Sequence, residues 1–198
     1  MELSSRQHAI IVGSILGDGM LEKRWRYPRL RFGLGLSQKE YLFWKYKEFQ
    51  NLTSSPPIIV SAWHKKMAKR YQSWHFGTRA MLELMDYWDT FYSNGHKIIP
   101  KNIGQLLIDP LSLAVWFMDD GYKRNDCNAL RLNTDSFSDE EQKQLQAVLE
   151  KNFGIITTIH KKGKYWNLYI PQTSAYKFAQ IVRPYIIPSI SYKIALAP

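Results

Sequence analysis

Hydrophobic and polar positions along the chain repeat one pattern twice, with an offset of about 100 residues. Each copy opens with an apolar stretch that ends in an acidic residue and a glycine, at 8–19 and again at 110–121. The spacing predicts a buried helix in both places, the second capped by Asp109. We expect Gly19 and Gly121 to end these helices, because glycine tolerates a positive φ.

The segments after each apolar helix also follow one order. Alternating residues predict a strand, an amphipathic helix comes next, and a hairpin and a further helix complete the copy. We expect the order α-β-β-α-β-β-α in each copy, and hence an α+β fold of two pseudo-symmetric halves, 1–104 and 105–198. The predicted elements are strand 29–37, helix 40–52, hairpin strands 58–60 and 71–76 and helix 78–88, then strand 130–133, helix 139–153, hairpin strands 155–160 and 165–170 and helix 174–182.

The charge balance narrows the class of partner. Lysine and arginine number 27 and aspartate and glutamate 17, which gives a net charge of +10. Such an excess favours a polyanionic partner, a nucleic acid or an anionic membrane surface. No apolar run is long enough to span a bilayer, the first residues lack a secretory signal, and the single Cys127 fits a reducing compartment. We expect an intracellular protein, in a mitochondrion or chloroplast if the gene belongs to an organelle and otherwise in the cytoplasm.

The two apolar helices carry a family resemblance. The segments IVGSILGDG at 11–19 and LAVWFMDDG at 113–121 resemble the paired motifs of single-chain LAGLIDADG homing endonucleases, especially the subgroup of the yeast mitochondrial omega-intron enzyme. The similarity continues through 130–137 and 183–193. It implies two motif helices packed along a pseudo-two-fold axis, each delivering one aspartate, and a DNA-binding saddle of two antiparallel sheets.

The glycines of the first motif support close packing of these helices. Gly13 and Gly17 are four residues apart and share one helix face, which allows another helix to approach. The corresponding positions of the second motif hold the larger Val115 and Asp119. We therefore expect an asymmetric contact.

The acidic residues at the helix ends suggest a metal site. A carboxylate is disfavoured at a helix C-terminus by the helix dipole, so an acid there twice suggests a cation partner. Hydrolysis of a phosphodiester needs an activated water and a stabilised leaving group, which divalent metals held by hard oxygen ligands supply. We expect Asp18 and Asp120 to hold Mg²⁺ (or Mn²⁺), joined by the backbone carbonyls of Gly17 and Asp119.

The family resemblance assigns four further catalytic residues. Lys97 and Lys193 match the lysines near each active site of the family, where a cation can stabilise charge on the phosphorane. Gln38 and Asp135 end the first long strand of each half and match the family's polar residue that orients water.

Basic residues on the strands and hairpins predict the DNA-reading surface. A β-ribbon fits the major groove, where arginine can read guanine and asparagine adenine. Three tryptophans, Trp63, Trp74 and Trp166, are expected in the core. The predicted DNA-binding residues are Arg29, Arg31, Lys65, Lys66, Lys69, Arg70 and Gln72 in the first half and Arg131, Asn133, Lys161, Lys162 and Lys164 in the second.

The combined interpretation is a monomeric, sequence-specific DNA endonuclease. We expect Mg²⁺-dependent cutting of both strands of a long asymmetric site across the minor groove, leaving 3′ overhangs. Double-stranded DNA is the expected partner, and a membrane is not. Two alternatives stay open: an RNA-binding group I intron maturase on the same fold, with intron RNA as its partner, and a DNA-binding regulator that does not cut.

Overall fold

The structure, a computed structural model, describes residues 2–64, 67–163 and 165–197. The first series of elements is α1 (Ser5–Leu16), β1 (Met20–Glu22), β2 (Arg29–Gly35), α2 (Lys39–Phe49), β3 (Ile58–His64), β4 (Lys69–Gly77) and α3 (Met85–Phe91). A small hairpin, β5 (Tyr92–Ser93) and β6 (His96–Lys97), and the short α4 (Ile103–Leu106) follow. The second series is α5 (Pro110–Asp120), β7 (Gly121–Lys123), β8 (Leu130–Asn133), α6 (Asp139–Phe153), β9 (Thr158–Lys162), β10 (Tyr165–Ile170) and α7 (Gln172–Val182). The α+β class and the doubled element order are confirmed.

Each series forms one four-stranded antiparallel sheet. The strand orders are β1-β2-β4-β3 and β7-β8-β10-β9, so the two sheets have the same topology. In β2 the side chains of Leu30, Phe32 and Leu34 are buried, and Leu130 and Leu132 are buried in β8. The residues between them are partly or fully exposed. One face of each sheet therefore packs on the core and the other is left open.

The two motif helices, α1 and α5, are in close contact. A Cβ atom added to Gly13 would lie 2.3 Å from the Ser112 carbonyl oxygen and 2.8 Å from the Val115 Cβ atom. A Cβ atom added to Gly17 would lie 2.5 Å from the Asp119 Cβ atom. Only glycine fits at position 13 of α1 and at position 17 directly after it, whereas α5 presents larger side chains. The expected close and asymmetric packing is confirmed.

Among the predictions that differ from the structure are the start of one helix, the start of one strand and the burial of one tryptophan. The helix expected at 78–88 does not begin at Thr78, because the Leu30 amide donates to the Thr78 hydroxyl (3.0 Å) and the Thr78 amide donates to the Leu30 carbonyl (2.9 Å). β9 begins at Thr158 rather than 155. Trp63 is 58% exposed, because every residue of the edge strand β3 is exposed; its expected core position is wrong.

The expectation that Gly19 and Gly121 end the motif helices with a positive φ is also wrong. Gly121 has φ −85°, and Gly19 is not among the described glycines with a positive φ. Both positions instead lack room for a side chain. A Cβ atom on Gly121 would meet the Phe117 ring and one on Gly19 would lie 2.7 Å from Ser14.

Within the described residues no helix has the length and apolar character needed to cross a membrane.

We expect Gly13→Ala to destabilise the protein by about 1–3 kcal/mol, because the added methyl overlaps α5 and forces the helices apart. Gly104→Ala is the matched control, since its Cβ atom would lie 3.5 Å from a Val148 methyl, an ordinary contact. Urea denaturation measures both free energies of unfolding. A Gly13→Ala variant as stable as the Gly104→Ala variant would contradict the close contact.

Candidate active site

Asp18 and Asp120 lie at the C-terminal ends of the two packed helices. Asp18 follows α1 in a turn and is exposed, whereas Asp120 is the last residue of α5 and is half-buried. Loss of hydration against the protein, together with the negative charges of Asp18 and Asp119, raises the pKa of Asp120 to about 7. The same loss of hydration and the charge of Asp119 raise the pKa of Asp18. The helix contact thus brings the two predicted acids within electrostatic reach of each other.

Lys97 and Lys193 lie at the same helix ends. The Lys97 Nζ atom donates to the carbonyl oxygens of Gly17 (2.9 Å) and Gly19 (3.1 Å). The Lys193 Nζ atom donates to the carbonyl oxygens of Met118 (2.7 Å) and Asp119 (3.4 Å). Burial lowers the pKa of both lysines, and the nearby acids partly oppose that shift. Each lysine therefore places its charge at the last carbonyls of one motif helix.

The side chain of Asp119 has a partner that sequence reasoning missed. The Lys45 Nζ atom lies 2.7 and 2.9 Å from the two Asp119 carboxylate oxygens, and both side chains are 0% exposed. The Asp18 amide donates to the same carboxylate (3.3 Å). The available signal was the four-residue spacing of Tyr41, Lys45 and Phe49, which puts a lysine on the buried face of α2.

Gln38 and Asp135 occupy related places after the second strand of each sheet. Gln38 ends a single 3-10 turn after β2 and is half-buried, and Asp135 lies in an exposed turn after β8. Within the described residues, no hydrogen bond joins either side chain to Asp18 or Asp120.

The strand residues expected to read DNA lie on the open faces of the sheets. Arg29 and Arg31 are only partly free there, because both contact Glu22, with Arg29 donating to its carboxylate at 2.7 Å. The Arg131 guanidinium lies over the Tyr169 ring, 5.7 Å from its centroid, and Asn133 is exposed. These faces carry the predicted polar residues, with an ion-paired cluster in the first half.

Four of the hairpin residues predicted to bind DNA are exposed: Lys69, Arg70, Gln72 and Lys161. The first three lie on β4, and the Lys161 Nζ atom lies 4.9 Å from the centroid of the half-buried Trp166. Sequence reasoning omitted Trp25, which is 88% exposed in the loop between β1 and β2. Of the other predicted lysines, Lys65, Lys66 and Lys164 lie outside the described residues, and Lys162 is described only by its place in β9.

The oxygen atoms at the helix ends fit a hard divalent cation. The carboxylates of Asp18 and Asp120 are open to solvent at least in part, and the carbonyls of Gly17 and Asp119 each keep a second lone pair beside the lysine hydrogen bond. Among the described residues, no three His, Cys, Asp or Glu side chains form a cage for a metal ion. Mg²⁺ is commonly held by one or two carboxylates together with substrate phosphates, so a small donor set suits it.

Comparisons with known proteins agree with this geometry. The model of the LAGLIDADG DNA endonuclease family matches residues 8–178. The chain is 33% identical to the cytochrome b mRNA maturase bI2 of Debaryomyces hansenii, over 93% of the chain and 72% of that protein. It is 28% identical to the DNA endonuclease I-ChuI of Chlamydomonas applanata, over 98% of the chain and 97% of that protein.

A solved structure extends the likeness to three dimensions. The homing endonuclease I-WcaI bound to its DNA recognition sequence superposes with a TM-score of 0.93 at 28% identity, covering 100% of this chain and 89% of that one. With two motif helices in contact and the family model matched along most of its length, the chain belongs to the LAGLIDADG DNA endonuclease family.

Proposed function

We propose that the protein is a sequence-specific, Mg²⁺- or Mn²⁺-dependent endonuclease that cuts both strands of a long asymmetric DNA site. The observation that carries this proposal is the meeting of Asp18 and Asp120 at the contact between α1 and α5. Phosphates on opposite strands approach most closely across the minor groove, which is about 6 Å wide against about 12 Å for the major groove. Cutting across it leaves 3′ overhangs.

The chemistry is divided among the residues at the helix ends. Asp18 and Asp120, with the carbonyls of Gly17 and Asp119, would hold the divalent ions, and ions bound there would lower the pKa of a water and stabilise the leaving oxygen. Lys97 and Lys193 stabilise negative charge as it develops on each scissile phosphate. Gln38 and Asp135 orient the water from the turns that follow the second strand of each sheet.

The open sheet faces bind double-stranded DNA in this proposal. Arg131 and Asn133 are available to base edges. Arg29 and Arg31 contact Glu22 and must either break these contacts to bind DNA or keep Glu22 as a fixed part of the binding surface. The exposed hairpin lysines contact phosphates, which gives affinity without sequence preference. We further propose that the protein is a monomer, since one chain supplies both acids. Its two halves are residues 1–104 and 105–198.

A maturase activity is the second candidate. It is favoured by the likeness to a protein named as a cytochrome b mRNA maturase. The two activities are separable, because Asp18 and Asp120 are proposed to act only in cutting DNA. Accelerated splicing of a group I intron by an Asp18→Asn/Asp120→Asn variant would establish it. A regulator that binds DNA without cutting is a third reading, and for it neither the wild-type protein nor this variant would cut DNA or accelerate splicing. We also propose that the protein acts in a mitochondrion or chloroplast if an organelle encodes it, and otherwise in the cytoplasm.

Asp18→Asn and Asp120→Asn should each reduce Mg²⁺-dependent double-strand cutting by at least about a hundredfold, because a metal ligand loses its charge. DNA binding in Ca²⁺ should change little. Asp89→Asn, an exposed aspartate on α3, is the matched control. Cutting of sites selected from a random DNA library measures the effect. A single Asn variant that cuts both strands at the wild-type rate would contradict the assignment.

Metal affinity should depend on pH through the carboxyl of Asp120. Its pKa of about 7 lies above the ordinary 3.8, so its contribution to the stability of the metal-free protein is present below about pH 4 and is lost as the pH rises through 7. A metal ion must displace that proton, so the affinity for Mg²⁺ should rise about tenfold between pH 6 and pH 8. Thermal shifts with Mg²⁺ measure it, and Asp120→Asn should remove the pH step. Equal wild-type affinity at both pH values would contradict the expectation.

Arg131→Ala should relax base preference at one position of the site, at a cost of about 1–3 kcal/mol if the contact is bidentate. Lys161→Ala should instead weaken binding to all sequences alike and reduce the salt dependence. Binding to a randomised library at two salt concentrations compares the two variants. An unchanged specificity profile for Arg131→Ala would remove the open face of β8 from the reading surface.

A further inference from the structure

The buried ion pair between Lys45 and Asp119 joins three elements beneath the acidic cluster. Lys45 belongs to α2, Asp119 belongs to α5, and the carboxylate of Asp119 accepts a hydrogen bond from the Asp18 amide just beyond α1. The Lys45 ammonium is further enclosed by the rings of Phe32 (5.0 Å) and Tyr41 (4.6 Å). The pair therefore connects the sheet-covering helix of the first half with both motif helices.

Only the second motif supplies a carboxylate of this kind. Gly17 is the residue of the first motif that corresponds to Asp119, and it has no side chain. The Asp119 carboxylate occupies the space beside it, since a Cβ atom on Gly17 would lie 2.7 Å from the Asp119 Oδ2 atom. The backbone at Asp18 thus rests on a carboxylate from α5, whereas the corresponding residue on α1, Gly17, has no side chain to support Asp120.

Stability alone is a weak reason for this arrangement. Burying two charges costs several kcal/mol for each ion, and replacing such a pair by apolar residues of similar volume is often neutral or stabilising. An apolar pair would, however, lack an acceptor for the Asp18 amide. The turn at Asp18 is held on two sides, by Asp119 at its N–H group and by Lys97 at the carbonyls of Gly17 and Gly19.

We propose that Lys45 and Asp119 are positioning residues that fix the turn carrying Asp18, so that cleavage of the two DNA strands depends on them unequally. Lys45 neutralises the buried Asp119 carboxylate, and an oxygen of that carboxylate accepts the hydrogen bond that holds the Asp18 amide. This inference rests on the proposed endonuclease function. The strand cut mainly with the help of Asp18 requires the pair, and the strand cut mainly with the help of Asp120 requires it less, because Asp120 is held within α5 itself.

Two double variants test the proposal without leaving a buried charge unpaired. Lys45→Met/Asp119→Leu removes the acceptor for the Asp18 amide, and Lys45→Met/Asp119→Asn keeps an oxygen acceptor at the same place. Both should fold, which thermal denaturation checks. Differently labelled strands of one DNA site then give the two cleavage rates separately. Amide hydrogen exchange at Asp18 reports the hydrogen bond without any cleavage.

We expect the Leu variant to slow one strand at least about tenfold more than the other and to exchange the Asp18 amide at least about tenfold faster than wild type. The Asn variant should restore the wild-type balance between the strands and the slow exchange. Equal slowing of both strands, unchanged exchange in the Leu variant, or an Asn variant that behaves like the Leu variant would overturn the proposal. A wild-type protein that cuts no DNA would refute the proposed function instead, and the exchange rates would still decide whether the pair holds Asp18.

Discussion

The contact between the two motif helices is the constraint on which the rest of the molecule depends. Gly13 and Gly17 let α1 lie against Ser112, Val115 and Asp119 of α5 at distances that no other residue permits. Because each helix belongs to a different half, each half contributes one of the two acids Asp18 and Asp120 and one of the two lysines Lys97 and Lys193. The sheets are attached to these helices, so the same contact sets the relation between the acids and the open faces proposed to hold DNA.

The charges at the helix ends balance in the metal-free protein. Three carboxylates face three ammonium groups, and burial shifts the pKa of several of them towards the neutral form. The most deeply buried carboxylate is already neutralised by a lysine, whereas the two outer carboxylates are the ligands proposed for divalent ions. The six residues are Asp18, Asp119 and Asp120 with Lys45, Lys97 and Lys193.

The sequence predicted the elements whose signals are local and missed contacts that depend on packing. The cap at Asp109 is present, because it is decided within a few residues: its side chain accepts a hydrogen bond from the Leu111 amide. The buried Lys45–Asp119 pair joins residues 74 positions apart, and periodicity alone does not identify the partner of a buried charge. The helix expected from Thr78 failed for the same reason, since a strand pairing with Leu30 outweighs local preference.

In the proposed mechanism, Asp18 and Asp120 act together across one minor groove. Sequencing the ends of the DNA products tests it most directly, because the offset between the two cuts reports which groove separates the attacked phosphates. We expect short 3′-extended ends that require Mg²⁺ or Mn²⁺. Blunt or 5′-extended ends would contradict it, since they would mean that the two acids do not attack the strands from the shared interface of α1 and α5.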